Sequence, residues 1–314
     1  MSLGTLQLVD LRRMRSVGCY TIGGYDGGDV AAVAWPTSDR LLVVTHSPTH
    51  SPVEILVIDL RARQIIHRTP LEGAVLRTAR AGDRMVLLTG RTYLGEAERV
   101  LVADARGSVR FVDMEVPSAS ALVVEPSGRR AYLVSANTVA EVDLDTLAVA
   151  YHELSEQKSM LGRFFAWLVP AAEAKIASRQ IRGALWVGGG VITSFGSDTT
   201  IDGRTISSVP GGLRLIDTRT WTVRTVDEQV GSASLAGGVL LATGAKEIGL
   251  VAYDRSGTKR FQLLRGQSPV PIESYETKVW VNVGRRPALR VVDVRTGRVL
   301  GPRRAPLPTL LVER

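Results

Sequence analysis

The sequence predicts an all-β fold, a seven-bladed β-propeller with a helical insertion between blades four and five, and three observations lead there. First, an aspartate closing an apolar run recurs at Asp10, Asp59, Asp104, Asp143, Asp217, Asp254 and Asp293, and each is followed by a turn and a second β-rich run. The intervals of 49, 45, 39, 74, 37 and 39 residues between them each accommodate one four-stranded unit. Second, 45% hydrophobic residues with 31 Gly and 14 Pro suit many short strands joined by many turns. Third, the irregular segments gather on one side of those units. Residues 1–314 are expected to form one domain, since closed repeat folds commonly reach this length as a single unit.

In chain order, Leu6–Asp10 and Val17–Ile22 open as the third and fourth strands of a blade, and six further blades follow. Leu307-Pro-Thr-Leu-Leu-Val312 is expected to return as the innermost strand of that first blade, latching the ring. The other innermost strands are read as Val30 to Trp35, Val75 to Arg80, Ala121 to Glu125, Ala184 to Val187, Ser232 to Ala236 and Ile272 to Tyr275. Charges near them are few: Arg77, Arg80, Glu125 and Glu273. Each recurring Asp precedes a short turn and accepts hydrogen bonds from backbone N–H groups two residues on. Seven such carboxylates lie in outer hairpins, too far apart to make a metal ring.

The repeat is clearest from Arg130-Ala-Tyr-Leu-Val to Ala150, where two β-rich runs flank a polar turn. Leu213-Arg-Leu-Ile-Asp-Thr-Arg-Thr-Trp-Thr-Val-Arg and Leu289-Arg-Val-Val-Asp-Val-Arg-Thr-Gly-Arg-Val-Leu repeat it. These segments resemble the YVTN or YncE-like branch of the WD40-like propellers, in the quinoprotein amine dehydrogenase-like superfamily, over nearly the whole chain. The tetrapeptide Tyr-Val-Thr-Asn does not occur intact; Val279-Trp-Val-Asn-Val is its nearest approach. Trp-Asp repeat ends and Gly-His pairs are also missing. The resemblance therefore implies the fold and no particular activity.

The charge is +8, from 39 Lys and Arg against 31 Asp and Glu, much of it scattered as in Arg12-Arg13-Met14-Arg15, Arg61-Ala62-Arg63 and Arg303-Arg304. Nucleic-acid binding calls for a continuous basic stripe with aromatic side chains to stack bases. With 5% aromatics that do not interleave with the basic clusters, no nucleic-acid partner is expected. No run approaches the ~20 apolar residues of a transmembrane helix, and no signal peptide is recognised. A soluble monomer is expected, while the compartment is left open because an exported form without its leader would read the same. The single cysteine, Cys19, lies in an apolar strand run and reads as a small core side chain.

Connections carry more information than charge. Turns such as Glu125-Pro-Ser-Gly-Arg and Arg295-Thr-Gly-Arg are short and ordinary. On the opposite face fall Gly23 to Asp29, His46-Ser-Pro-Thr-His50, Arg91 to Glu98 and the irregular stretch Ser197 to Gly212. That face is read as the functional one, with Tyr25, Asp26, Asp29, His46, His50, Tyr93, Arg163, Trp167, Asp198 and Asp202 as its candidate contacts. An insertion of about 30 residues, 155–182, joins it. There Met160, Phe164, Trp167 and Leu168 share a helical stripe, Pro170 ends or kinks the helix and Ala171 to Arg179 resumes it. The stripe is read as a cap over the propeller core, or else as a partner-binding or membrane-touching hairpin.

His46 and His50, with Asp26 or Asp29, are ligand-type residues, but a five-residue loop with an internal proline is no established ligand spacing. Asp198 and Asp202 lack the alternating acids and terminal Glu of a calcium loop and read as surface residues. His67 and His152 have no adjacent acid and nucleophile in the sequence. Gly188-Gly189-Gly190 reads as a tight turn rather than a phosphate loop. No metal and no cofactor are expected. The function read from the sequence is a noncatalytic binding or scaffold propeller whose partner is an unidentified protein or small ligand. The alternative is a hydrolase, lyase or lactonase-like propeller with a metal at the channel mouth.

Overall fold

The computed structural model describes residues 4–10, 15–23, 29–37, 39–46, 53–91, 97–118, 120–156, 179–202, 205–244, 247–275, 277–283 and 289–302. Among them the regular elements are all β-strands, arranged in seven sheets. Sheet 1 is the hairpin of β1 (Gly4–Asp10) and β2 (Arg15–Gly23). Sheet 2 holds β3 (Asp29–Thr37), β4 (Arg40–His46), β5 (Val53–Asp59) and β6 (Gln64–Leu71). Sheet 3 holds β7 (Ala74–Ala81), β8 (Arg84–Gly90), β9 (Arg99–Ala103) and β10 (Val109–Val112). Sheet 4 holds β11 (Ala121–Val124), β12 (Arg130–Val134), β13 (Thr138–Asp143) and β14 (Val149–Glu153).

Sheet 5 has five strands. β16 (Arg179–Gly188), β17 (Val191–Asp202), β18 (Thr205–Asp217) and β19 (Thr222–Asp227) run antiparallel. The short β15 (Ser155–Glu156) adds parallel to the outer edge of β19. Sheet 6 holds β20 (Val230–Ala236), β21 (Val239–Gly244), β22 (Leu250–Tyr253) and β23 (Lys259–Leu263). Sheet 7 holds β24 (Pro269–Tyr275), β25 (Lys278–Val283), β26 (Leu289–Asp293) and β27 (Arg298–Pro302).

Within each four-stranded unit the strands lie side by side in sequence order, so each step is a local antiparallel hairpin. The first strands touch one another in chain order, from β3 to β7, β11, β16, β20 and β24. The core follows the same succession. One apolar cluster fills each junction: Leu42, Ile55 and Leu87 between sheets 2 and 3, Leu88, Leu122 and Leu133 between 3 and 4. Tyr132, Ile192 and Ile216 lie between sheets 4 and 5, Phe195, Leu240 and Tyr253 between 5 and 6, Leu241, Val281 and Val292 between 6 and 7.

This stacking explains why the second and third strands read as continuous apolar runs. Met85, Val86, Leu87 and Leu88 point alternately to the two faces of sheet 3, and all four are buried because a sheet covers each face. The fourth strands lie outermost and keep Ile66, Phe111 and Tyr151 exposed.

Two expectations need correction. The insertion expected as helical at 155–182 is strand at its two ends: Ser155 and Glu156 pair with Thr222 and Val223, and residues 179–182 are the start of β16. The free outer edge of β19 supplies hydrogen-bond partners to the first segment, and the long β17 supplies them to the second. Residues 157–178, with the stripe on Met160, Phe164, Trp167 and Leu168, lie outside the described residues. The irregular stretch Ser197 to Gly212 is a continuous hairpin instead, with Ser197 pairing Pro210 and Asp202 pairing Thr205. Its Thr199, Thr200, Ile201, Thr205, Ile206 and Val209 are β-branched and favour strands, which outweighs the Ser, Gly and Pro that suggested a loop. The closing segment 307–312 lies outside the described residues.

Candidate functional site

Antiparallel order divides the connections between two faces. Turns joining first to second and third to fourth strands share one face; the longer second-to-third and sheet-to-sheet connections share the other. On the short-turn face the recurring aspartates are committed to their own backbone. Asp59 Oδ1 accepts the N–H groups of Arg61 and Ala62, at 2.8 Å each, Asp143 those of Asp145 and Thr146, and Asp293 those of Arg295 and Thr296. The residue four after the aspartate then turns left-handed, as at Arg63, Leu147, Trp221 and Gly297. Asp104 and Asp254 hold a second kind of turn, accepting N–H groups two and four residues on, with a left-handed glycine at Gly107 or Gly257.

These turns reach onto the preceding sheet. A Cβ at Gly107 would run into the His67 ring, and one at Gly257 would stand 2.8 Å from Val226 Cγ2. The hydrogen bonds also favour the charged carboxylates. The Thr146 N–H holds Asp143 below its ordinary pKa, the Ser256 hydroxyl does so for Asp254, and the Thr296 N–H for Asp293. The Arg219 side chain, bonding Asp217 through Nε at 3.1 Å and Nη2 at 2.8 Å, brings that carboxyl down to about 2.

The other face carries an arm. β16 pairs with β17 as far as Asp198, and β19 pairs with β18 as far as Leu213. Beyond them Thr199, Thr200, Ile201 and Asp202 pair, among the described residues, only with Ser208, Ser207, Ile206 and Thr205. At ~3.3 Å per residue this ribbon extends about 13 Å past its sheet. A register irregularity between Gly196 and Ser197 marks its base, where a bulge bends a strand.

Of the residues singled out in the sequence, Asp29 and His46 are register partners at the ends of β3 and β4. Asp198, opposite Val209, is at the base of the arm and Asp202, opposite Thr205, at its far end, both in strand rather than in a loop. These two pairs of positions belong to sheets 2 and 5, which are not adjacent. Tyr25, Asp26, His50, Tyr93, Arg163 and Trp167 lie outside the described residues. Among the described residues no three His, Cys, Asp or Glu side chains gather as a metal site.

Reading the sequence missed two polar junctions. Glu141 Oε2 lies 3.1 Å from His152 Nε2 and Glu141 Oε1 lies 3.2 Å from Arg130 Nη1, so His152 does have an acid beside it. The His152 ring stacks on Trp221 with centroids 3.7 Å apart, and Tyr132 stacks on Trp186 at 5.8 Å. Burial pushes the Tyr132 phenol pKa up. The set fastens sheet 4 to sheet 5. The signal was the strand register, which places Val139 opposite His152 and so Glu141 two residues away on the same face.

The second junction joins sheets 3 and 4. Arg84 donates to the Leu144 carbonyl at 2.5 Å and the Gly128 carbonyl at 3.1 Å, and meets Asp145 at 3.0 Å. Deeper in the ring, Arg214 is 3% exposed and donates to the Ala136 carbonyl at 2.8 Å, tying sheet 5 to a connection of sheet 4.

No protein-family model matches the chain, and no curated protein matches it. Solved structures do match in fold. One from a structural and mechanistic study of two prolyl endopeptidases covers 88% of this chain with a TM-score of 0.57 and 12% identity; this chain spans 41% of that protein. The β-propeller domain of Cps50 (Swd1) from Myceliophteria thermophila covers 91% of this chain, which covers 90% of it in turn, with a TM-score of 0.55 and 12% identity. A chain of the mitotic checkpoint complex covers 89% of this chain and is itself covered over 81%, with a TM-score of 0.57 and 10% identity. This chain is a β-propeller. At such identities the likeness concerns fold alone, and propellers of this kind occur in enzymes and in assemblies. No helix among the described residues is long and apolar enough to cross a membrane.

Proposed function

We propose that this propeller is a noncatalytic binding module that docks a protein or small ligand on the face carrying its long connections and the β17–β18 arm. The arm carries the reading. A paired ribbon extends beyond its blade, and its edges pair with no further strand among the described residues. Such an edge is suited to recruiting a partner strand or a side-chain contact from a rigid base. The opposite face, by contrast, spends its recurring carboxylates on its own turns.

In this reading residues 1–314 form one domain and work as a monomer. The ring has seven blades of the YVTN/YncE-like kind, with 307–312 completing the blade that β1 and β2 begin. The partner-facing residues are Tyr25, Asp26, Asp29, His46, His50, Tyr93, Arg163, Trp167, Asp198 and Asp202, and the segment 157–178 caps the core beside them.

The test is quantitative affinity capture with three forms of the full chain: unaltered, with the arm 199–208 replaced by a tight turn, and with Arg61→Ala and Arg106→Ala on the short-turn face. A partner retained by the first and third forms and lost from the second supports the reading. Equal retention by all three contradicts it, as does hydrolysis of ester, lactone or phosphate-ester substrates that His46→Ala abolishes.

A further inference from the structure

The short-turn face holds a pocket of about 240 Å³ where sheet 5 meets sheet 6. Val191 and Leu215 give it an apolar wall, Thr222 and Ser256 bring hydroxyls, and Arg224 and Arg255 reach it from β19 and from the turn after β22. The charges there do not cancel. Asp217, the acid at its rim, is already bonded bidentately by Arg219. Asp254, beside Arg255, accepts the Ser256 and Thr258 N–H groups and the Ser256 hydroxyl, and so is folded into its own turn. Arg224 spends one N–H on the Ser256 carbonyl. Neither Arg224 nor Arg255 forms an ion pair among the described residues.

The turn beneath is shaped to admit a guanidinium group. Gly188, Gly189 and Gly190 are all left-handed, with φ of 98°, 64° and 77°. A Cβ at Gly188 would stand 3.3 Å from Arg255 Nη1, one at Gly238 would stand 3.6 Å from its Nη2, and one at Gly190 would stand 3.7 Å from Arg219 Nε. Gly188 leaves room that the Arg255 guanidinium occupies, whereas a Cβ at Gly190 or Gly238 would make ordinary contacts with these arginines and one at Gly189 would meet nothing within 4 Å.

We propose that this pocket is an oxyanion site taking a phosphate group, either free or as a small monoester, between the Arg224 and Arg255 guanidinium groups, with the Thr222 hydroxyl, 2.9 Å from that of Thr220 and accepting from it, as a third donor. Two arginines arriving from different sheets suit a tetrahedral dianion, whereas one bidentate arginine already satisfies a planar carboxylate, as Arg219 does for Asp217. The volume lies below the ~300 Å³ at which pockets for drug-sized ligands begin, so the ligand is small. The apolar wall favours an ester whose organic part is apolar. The site lies on the face opposite the proposed docking face, so its failure would leave that reading untouched.

Calorimetric titration of the full chain with inorganic phosphate, phenyl phosphate and benzoate tests the proposal. One phosphate site per chain is expected, weakened at least about tenfold by Arg255→Gln and by Arg224→Gln, the loss expected for one charge-assisted hydrogen bond. Tighter binding of phenyl phosphate assigns the site to an ester, and equal binding assigns it to the free anion. Arg61→Ala, whose arginine pairs with Asp39 in sheet 2, should bind as the unaltered chain does. Both pocket arginines are exposed, so unchanged melting of the Gln variants confirms that folding is intact. Saturation by benzoate as tight as by the phosphates, full affinity in both Gln variants, or no saturable phosphate binding would each overturn the proposal.

Discussion

A carboxylate oxygen facing two backbone N–H groups fixes most of the outer turns of this ring, and its protonation has a predictable cost. Asp143, Asp217, Asp254 and Asp293 all have folded-state pKa values below the ordinary 3.8. A depressed carboxylate contributes stability that is present above the ordinary value and is lost as pH falls through the folded value, here toward about 2 for Asp217. The melting temperature should therefore be level from about pH 7 to 5 and fall below about pH 4, with Asp217→Asn lower at neutral pH and shallower in acid. Equal acid slopes in the two proteins would contradict this. Glycines at the turns divide by their surroundings. Gly107→Ala should cost about 2–4 kcal/mol, combining left-handed strain with a clash against His67, whereas Gly82→Ala meets nothing and should cost about 1–2. Urea midpoints measure both. The turn role of the aspartates was legible because the residue type and the following polar run carry it locally. The Glu141–His152 pair was not, because register across two strands, rather than sequence neighbourhood, brings the two side chains together.

At the scale of elements, burial on both faces makes a strand legible and length makes it ambiguous. Runs such as Leu41-Leu42-Val43-Val44, short, fully buried and bounded by turn residues, match strands enclosed on both faces. The arm is hard to read as strand because no described strand pairs with its far end and its Ser, Gly and Pro suggest a loop, while its Thr, Ile and Val content still favours strand. Since residues 199–202 and 205–208 pair only with each other among the described residues, replacing them with a tight turn should leave the melting temperature within about 2 °C. Trp221→Ala behaves oppositely. Its indole bridges His152 and Tyr132 at the junction of sheets 4 and 5, and its loss should cost about 2–4 kcal/mol in a urea titration. A negligible shift would mean that this junction is held by the aliphatic cluster alone.

At the scale of the molecule, the propeller follows from repetition: among the described residues each of sheets 2 to 6 is packed against the next through its own apolar cluster. The seven aspartates made the repeat visible, while the partner-facing positions left no periodic mark, since long connections differ from blade to blade. Removing residues 305–314 takes away the strand proposed to complete the first blade. It should lower the melting temperature clearly or cause aggregation through an open edge, and a midpoint within about 2 °C of the full chain would contradict the seven-bladed closure. The central claim is that one face binds, and hydrogen–deuterium exchange of the full chain with and without its captured partner tests it most directly. Protection should fall on peptides covering 23–29, 46–53, 90–99 and 197–210, with 59–64, 143–149 and 293–298 unchanged. Protection confined to the latter set would place the partner on the wrong face.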